Sequence, residues 1–167
     1  MATLKNVPAK VMRNYVLSCA GYCVFTYVMG VGDRHLDNLL LTKDGRIFHV
    51  DFSYLFGKDP KPFPPPMKLC KEMVEAMGGP DGEYFAQFKS LCMEAILSLR
   101  RWSRMLIAYI RLTADEEAVK FVHDRLMIGK GDVEACVALE RLIDESMTAL
   151  FPKVLEALHK WAQYWRQ

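Results

Sequence analysis

The residues with the most chemistry per unit length form the run Asp33-Arg34-His35-Leu36-Asp37-Asn38, and a further acid, Asp51, follows thirteen residues after Asn38. A carboxylate beside an imidazole supplies a base and a group that orients or charges it. An Asn carbonyl and an Asp carboxylate are hard oxygen donors, suited to Mg²⁺ held jointly with nucleotide phosphates. Taken singly, Asp33 would cap a helix, His35 would sit in a core and Asp51 would end a strand. Order and spacing together are more specific than any one of them.

Placing Asn38 next to Asp51 requires a turn between them. Leu39-Leu40-Leu41 and Ile47-Phe48-His49-Val50 are strand-like runs, with Lys43-Asp44-Gly45 between them. Glycine accepts the positive φ of a tight hairpin, so residues 39 to 56 read as a β-hairpin whose outer ends meet. Before it, residues 8 to 30 read as one helix, with Pro8 suited to its start and Gly30-Val-Gly32 ending it. After it, residues 57 to 66 form an irregular loop, because five of the eight prolines fall between Pro60 and Pro66. Helices are expected near 68–77, 83–97, 99–112, 115–127, 132–149 and 151–166. The fold class is mainly α with a small β-hairpin.

Composition limits what such a site can belong to. The chain has 167 residues, with 22 Lys and Arg against 20 Asp and Glu, a net charge of +2. That length suits one domain. Apolar residues make up 51% and charged residues 25%, which excludes a disordered chain. The small net charge argues against nucleic acid as a partner. Five cysteines without CxxC spacing read as reduced thiols in a cytosolic protein. Tyr15 to Gly32 carries no charge, but three Tyr, three Gly, Ser18 and Thr26 fit a buried core helix better than a membrane span.

A loop Asp and Asn, then a hairpin, then Asp-Phe is the layout with which kinases hold Mg-ATP. Ordinary protein kinases carry His-Arg-Asp; here the order is reversed, Asp33-Arg34-His35, as in the phosphatidylinositol 3-kinase superfamily. The run GVGDRHLDNLLLTKDGRIFHVDF, then GKDPKPFPPPMKL and KEMVEAMGG, and the closing LIDESMTALF and HKWAQYWRQ, resemble the class III phosphatidylinositol 3-kinases, the vacuolar-sorting lipid kinases. The resemblance covers nearly the whole chain.

It implies the C-terminal lobe of the protein-kinase-like fold, an α+β architecture, with a catalytic loop over 32–38, a metal-binding and activation loop over 51–67, and a C-terminal amphipathic helix over 151–166. Asp33, Arg34, His35 and Asn38 would be catalytic, with His35 as the base on the inositol 3-hydroxyl. Asn38 and Asp51 would hold Mg²⁺, with Mn²⁺ as the alternative, and ATP would be the phosphoryl donor. Lys58 and Lys61 would bind the substrate phosphate, two point charges suited to the single phosphodiester of phosphatidylinositol. Trp161, Tyr164, Trp165 and Arg166 would touch the membrane, core packing being the competing explanation of that stripe. Implied partners are a phosphatidylinositol membrane, an N-terminal lobe, a protein-kinase-like regulatory subunit and a beclin-type subunit, in a cytoplasmic enzyme peripheral to endosomal and autophagic membranes. Arg100, Arg101, Arg104 and Arg111 form an acid-free cationic run on one expected helix, read as a solvated face before a lipid-facing one.

Two features depart from that pattern. Asp-Phe-Gly reads Asp51-Phe52-Ser53, so a left-handed conformation at Ser53 would be strained. The lobe that covers the phosphates is expected to be missing, and the chain alone to be inactive. The competing readings are a non-catalytic kinase-like module binding a membrane or a partner, and a protein kinase of the same superfamily.

Overall fold

A computed structural model describes residues 7–60, 65–67 and 69–150, with the backbone alone for 148–150. The central element is helix α1, Ala9–Val28, which follows Pro8. Its buried residues include Met12, Val16, Cys19, Tyr22, Cys23, Thr26 and Tyr27, which point to several sides. A helix apolar on most faces must be surrounded, and α1 packs against the hairpin and two later helices. No helix among the described residues is long and apolar enough to cross a membrane.

The hairpin forms where the turn residues place it, with shorter strands than the sequence suggests. β1 is Leu39–Leu41 and β2 is Ile47–His49, antiparallel, pairing Leu39 with His49 and Leu41 with Ile47. Gly45 has φ +91° in the turn, and Thr42 and Arg46 close it with a backbone bond of 2.8 Å. Two side chains of α1 fasten the hairpin: Asn14 donates to the Asp44 carbonyl at 2.8 Å, and the Ser18 hydroxyl accepts the Ile47 N–H at 3.0 Å.

The remaining helices are α2, Lys71–Ala76; α3, Glu83–Arg101; α4, Ser103–Thr113; α5, Glu116–Arg125; and α6, Asp132–Leu150. Asp115 caps α5 by accepting the Ala118 N–H at 2.8 Å. Phe88, Cys92 and Ile96 of α3 meet Cys19 and Cys23 of α1 in one core, which Leu139 and Ile143 of α6 complete. None of the five cysteines is joined in a disulfide. Burial pushes the Cys19 and Cys92 thiols up to about 12 and Cys23 well above its ordinary value.

Three expectations need correction. The boundary expected between the helices at 83–97 and 99–112 lies instead at Trp102, where α3 ends and α4 begins. The arginine run is therefore divided between two helices. Arg100 is no solvated residue: it donates to the carbonyls of Leu126, Met127 and Lys130 at 2.6, 2.7 and 2.6 Å and pairs with Asp132 at 3.0 Å. Arg101 and Arg104 are exposed, and Arg111 pairs with Glu116 at 3.2 Å. Finally, the helix expected over 68–77 starts only at Lys71. The terminal helix expected over 151–166 lies outside the described residues.

Candidate active site

The loop between α1 and β1 is held by its own backbone. The chain leaves α1 through Gly30 in a left-handed conformation, φ +57°. Residues 29–32 then run against 54–57: Phe56 N–H donates to Met29 O at 2.8 Å, Gly57 N–H to Gly30 O at 3.0 Å, and Gly32 N–H to Tyr54 O at 2.9 Å. A Cβ on Gly32 would collide with the Lys58 carbonyl, and one on Gly30 with the Gly57 nitrogen and the Phe121 ring. These two glycines therefore do more than end a helix. They let the loop after Asp51 lie flush against the loop that carries Asp33.

Asp33 has φ +47°, one of three non-glycine residues with positive φ among those described. Aspartate tolerates this region better than most residues, and such strain gathers at functional sites. Three bonds hold it. Its N–H donates to Asp59 Oδ2 at 3.2 Å, and its carbonyl accepts the His35 N–H at 2.9 Å and the Asn38 Nδ2 amide at 3.0 Å. Leu36–Asn38 closes a single 3₁₀ turn, which delivers Asn38 to the start of β1.

The ladder then continues one pair beyond the hairpin: Val50 N–H donates to Asn38 O at 3.1 Å. Asn38 thus lies opposite Val50 and beside Asp51. The Asn38 amide nitrogen is engaged with Asp33, which leaves its oxygen as an acceptor. On Asp51, Oδ1 accepts both the Ser53 N–H at 2.8 Å and the Ser53 hydroxyl at 2.7 Å. These bonds, the hydroxyl first, hold the Asp51 carboxyl below the usual carboxylate range. An ionised carboxylate and a free amide oxygen at one hairpin end fit a divalent ion of the Mg²⁺ type. Such ions take one or two protein oxygens and leave the other positions to water or phosphate. Among the described residues no cluster of three or more His, Cys, Asp or Glu offers a competing metal site.

His35 stands between two acids. Its Nε2 is 3.7 Å from Asp33 Oδ2 and its Nδ1 is 3.6 Å from Asp37 Oδ2, too long for hydrogen bonds but close enough for electrostatic attraction. Nδ1 is shielded from solvent without a hydrogen-bond partner. Nearby, His49 is buried between Tyr22 and Phe52, with ring centroids 6.2 and 5.3 Å away, and burial lowers its pKa. Arg34 is buried and turns toward the following loop, donating to the carbonyls of Pro65 at 2.6 Å and Pro66 at 3.5 Å. It grips the proline segment.

Lys58 is exposed on the rim of a cavity of about 220 Å³, lined also by Arg34, Asp59, Pro65, Phe121 and Arg125. The sequence reading missed two of these. Arg125 lies between the rings of Tyr27 and Phe121, 4.7 and 4.9 Å from their centroids. Asp59 anchors Asp33, and its place in the Lys58-Asp59-Pro60 turn was its only sequence signal. Ser53 is not among the positive-φ residues, so the strain expected of it is absent; Phe56, at φ +55°, carries the left-handed turn of this loop instead. Lys61, Trp161, Tyr164, Trp165 and Arg166 lie outside the described residues.

Residues 3–123 match the family model described as phosphatidylinositol 3- and 4-kinase. The chain is 49% identical to a phosphatidylinositol 3-kinase VPS34 of Arabidopsis thaliana, with 96% of this chain and 21% of that protein aligned. It is 47% identical to phosphatidylinositol 3-kinase pik3 of Schizosaccharomyces pombe, over 93% of this chain and 21% of that protein. Against phosphatidylinositol 3-kinase VPS34 of Saccharomyces cerevisiae the identity is 44%, over 99% of this chain and 20% of that protein. The chain spans about one fifth of the length of these relatives.

Proposed function

Since this chain belongs to the phosphatidylinositol 3- and 4-kinase family, we propose that it is the C-terminal catalytic lobe of a lipid kinase that transfers the ATP γ-phosphoryl group to the 3-hydroxyl of phosphatidylinositol. The observation that carries this reading is the 3.1 Å bond from Val50 N–H to Asn38 O. It pairs Asn38, five residues after Asp33, with the residue that precedes Asp51.

Each residue takes a role that its chemistry allows. Asn38 and Asp51 hold Mg²⁺, which when bound offsets the negative charge of the nucleotide phosphates. His35 accepts the proton of the inositol 3-hydroxyl. Asp33 and Asp37 flank it, with carboxylate oxygens 3.7 and 3.6 Å from its two ring nitrogens. The Asn38 amide and the Asp59 carboxylate fix Asp33 in its left-handed conformation. Arg34 holds Pro65 and Pro66, and with them the loop that carries Lys58. Lys58 and Lys61 receive the lipid phosphodiester, two charges without the dense basic cluster that a multiply phosphorylated headgroup requires. The membrane contacts of Trp161, Tyr164, Trp165 and Arg166, the protein-kinase-like and beclin-type partners, and a peripheral place on endosomal and autophagic membranes belong to the same proposal.

The exposed faces beside the site support it. Leu40, Phe48 and Val50, which share one side of the hairpin, are all exposed. A contiguous apolar face of this kind invites cover, and the N-terminal lobe of a kinase would supply it.

The test is phosphatidylinositol phosphorylation by the complete kinase carrying this lobe. Asp51→Ala is expected to abolish turnover. His35→Ala is expected to reduce it by roughly 10²–10⁴-fold, the usual worth of a positioned base. Full activity in Asp51→Ala would refute the assignment.

A further inference from the structure

Where the sequence pattern of this family would place glycine, the chain has Ser53, and its hydroxyl is not idle. The Ser53 N–H and the Ser53 hydroxyl both donate to Asp51 Oδ1, at 2.8 and 2.7 Å. Both distances lie in the range of good charge-assisted bonds. Oδ2 carries no hydrogen bond among the described residues. One carboxylate oxygen is thus doubly tied and its twin is left open.

We propose that Ser53 is a positioning residue for the metal: its hydroxyl locks the Asp51 carboxylate so that Oδ2 alone is presented to a small octahedral divalent cation. The inference rests on the reading of Asp51 as a metal ligand. It adds a residue that the glycine pattern does not contain. Asp51 is exposed, so without the hydroxyl only one bond, from the amide, restrains its rotation. Binding a metal would then have to freeze the side chain as well as dehydrate it. With the hydroxyl in place that ordering is complete before the ion arrives. The two donors on Oδ1 also disfavour a two-oxygen grip. They suit Mg²⁺ or Mn²⁺, which take single oxygens near 2.1 Å, over larger ions that accept bidentate carboxylates. Partners that orient a metal ligand are commonly worth 10–100-fold in affinity.

The experiment is a Mn²⁺ titration of the ¹⁵N-labelled 167-residue chain, read as paramagnetic broadening of amide signals around Asn38 and Asp51. Wild type, Asp51→Ala, Ser53→Ala and Ser53→Thr are compared. Ser53 is exposed, so thermal melts of the Ser53 variants should match wild type. Ser53→Ala keeps the amide bond and loses only the hydroxyl. It is expected to weaken Mn²⁺ binding about tenfold. Ser53→Thr, which restores a hydroxyl, should recover wild-type binding. Ser53→Ala binding Mn²⁺ as tightly as wild type would overturn the inference while leaving Asp51 a ligand. Site broadening absent in wild type, or unchanged in Asp51→Ala, would overturn both the ligand reading and the inference.

Discussion

Arg100→Met should destabilise the chain more than any other single change to its surface arginines. Although it belongs to the arginine run, its side chain is only 11% exposed. Its guanidinium donates to three carbonyls, Leu126, Met127 and Lys130, at 2.6–2.7 Å. Leu126 caps the end of α5, and Met127 and Lys130 lie in the turn to α6, where no helical N–H reaches their carbonyls, although Met127 O also accepts the Lys130 N–H at 3.1 Å. A hydrogen bond from a charged donor is worth about 1.5–3 kcal/mol net. The three share one guanidinium, so they do not add fully. The pairing with Asp132, whose carboxylate is well exposed, adds little. Methionine keeps most of the apolar stem, so the loss is chiefly polar, about 3–4 kcal/mol. At about 2–4 °C per kcal/mol for a chain of this size, Tm should fall by about 10 °C. Arg101→Met, one residue away and exposed, should cost within about 0.5 kcal/mol. Arg100→Lys keeps the charge but cannot fork to three carbonyls, and should recover less than half of the loss. Thermal unfolding followed by circular dichroism measures all three. A Tm for Arg100→Met within about 2 °C of Arg101→Met would refute the clamp.

Other outcomes follow from the same geometry. Gly32→Ala should both destabilise the fold and lower lipid phosphorylation in the complete kinase, because a Cβ there meets the Lys58 carbonyl; calorimetry and turnover should change together. Native-state labelling with a thiol reagent at pH 8 should modify Cys70 and Cys136 and spare Cys19, Cys23 and Cys92 until denaturant is added, since the last three are buried with raised pKa values. Mass spectrometry of the labelled peptides checks this. Burial lowers the pKa of His49, so the folded state resists protonation that the unfolded chain accepts. Its share of stability is complete above the ordinary histidine value near 6.5 and declines as pH falls below it toward the folded value. His49→Phe should flatten that part of the stability curve, and an unchanged slope in denaturant titrations would count against it.

Much of this architecture was written in local patterns. The alternation of apolar runs around Lys43-Asp44-Gly45 is a property of a dozen adjacent residues, so the hairpin, and with it the approach of Asn38 to Asp51, followed from turn chemistry alone. The helices lie close to where local signals put them, but the α3–α4 boundary, expected near residue 98, falls at Trp102, where neither glycine nor proline marks it. The side-chain partners were also decided across long separations. Arg34 reaches Pro65, Asp59 reaches Asp33, Arg125 enters between Tyr27 and Phe121, and Arg100 spans to Leu126. A charge in a sequence shows what it would attract but not which of many equivalent carbonyls or carboxylates the fold brings within 3 Å. For the same reason Gly30 and Gly32 read as a helix stop, whereas the folded chain uses their missing side chains to seat a loop more than twenty residues away. The sequence determined which chemistry this chain carries; tertiary packing decided which of its groups remain free to perform it.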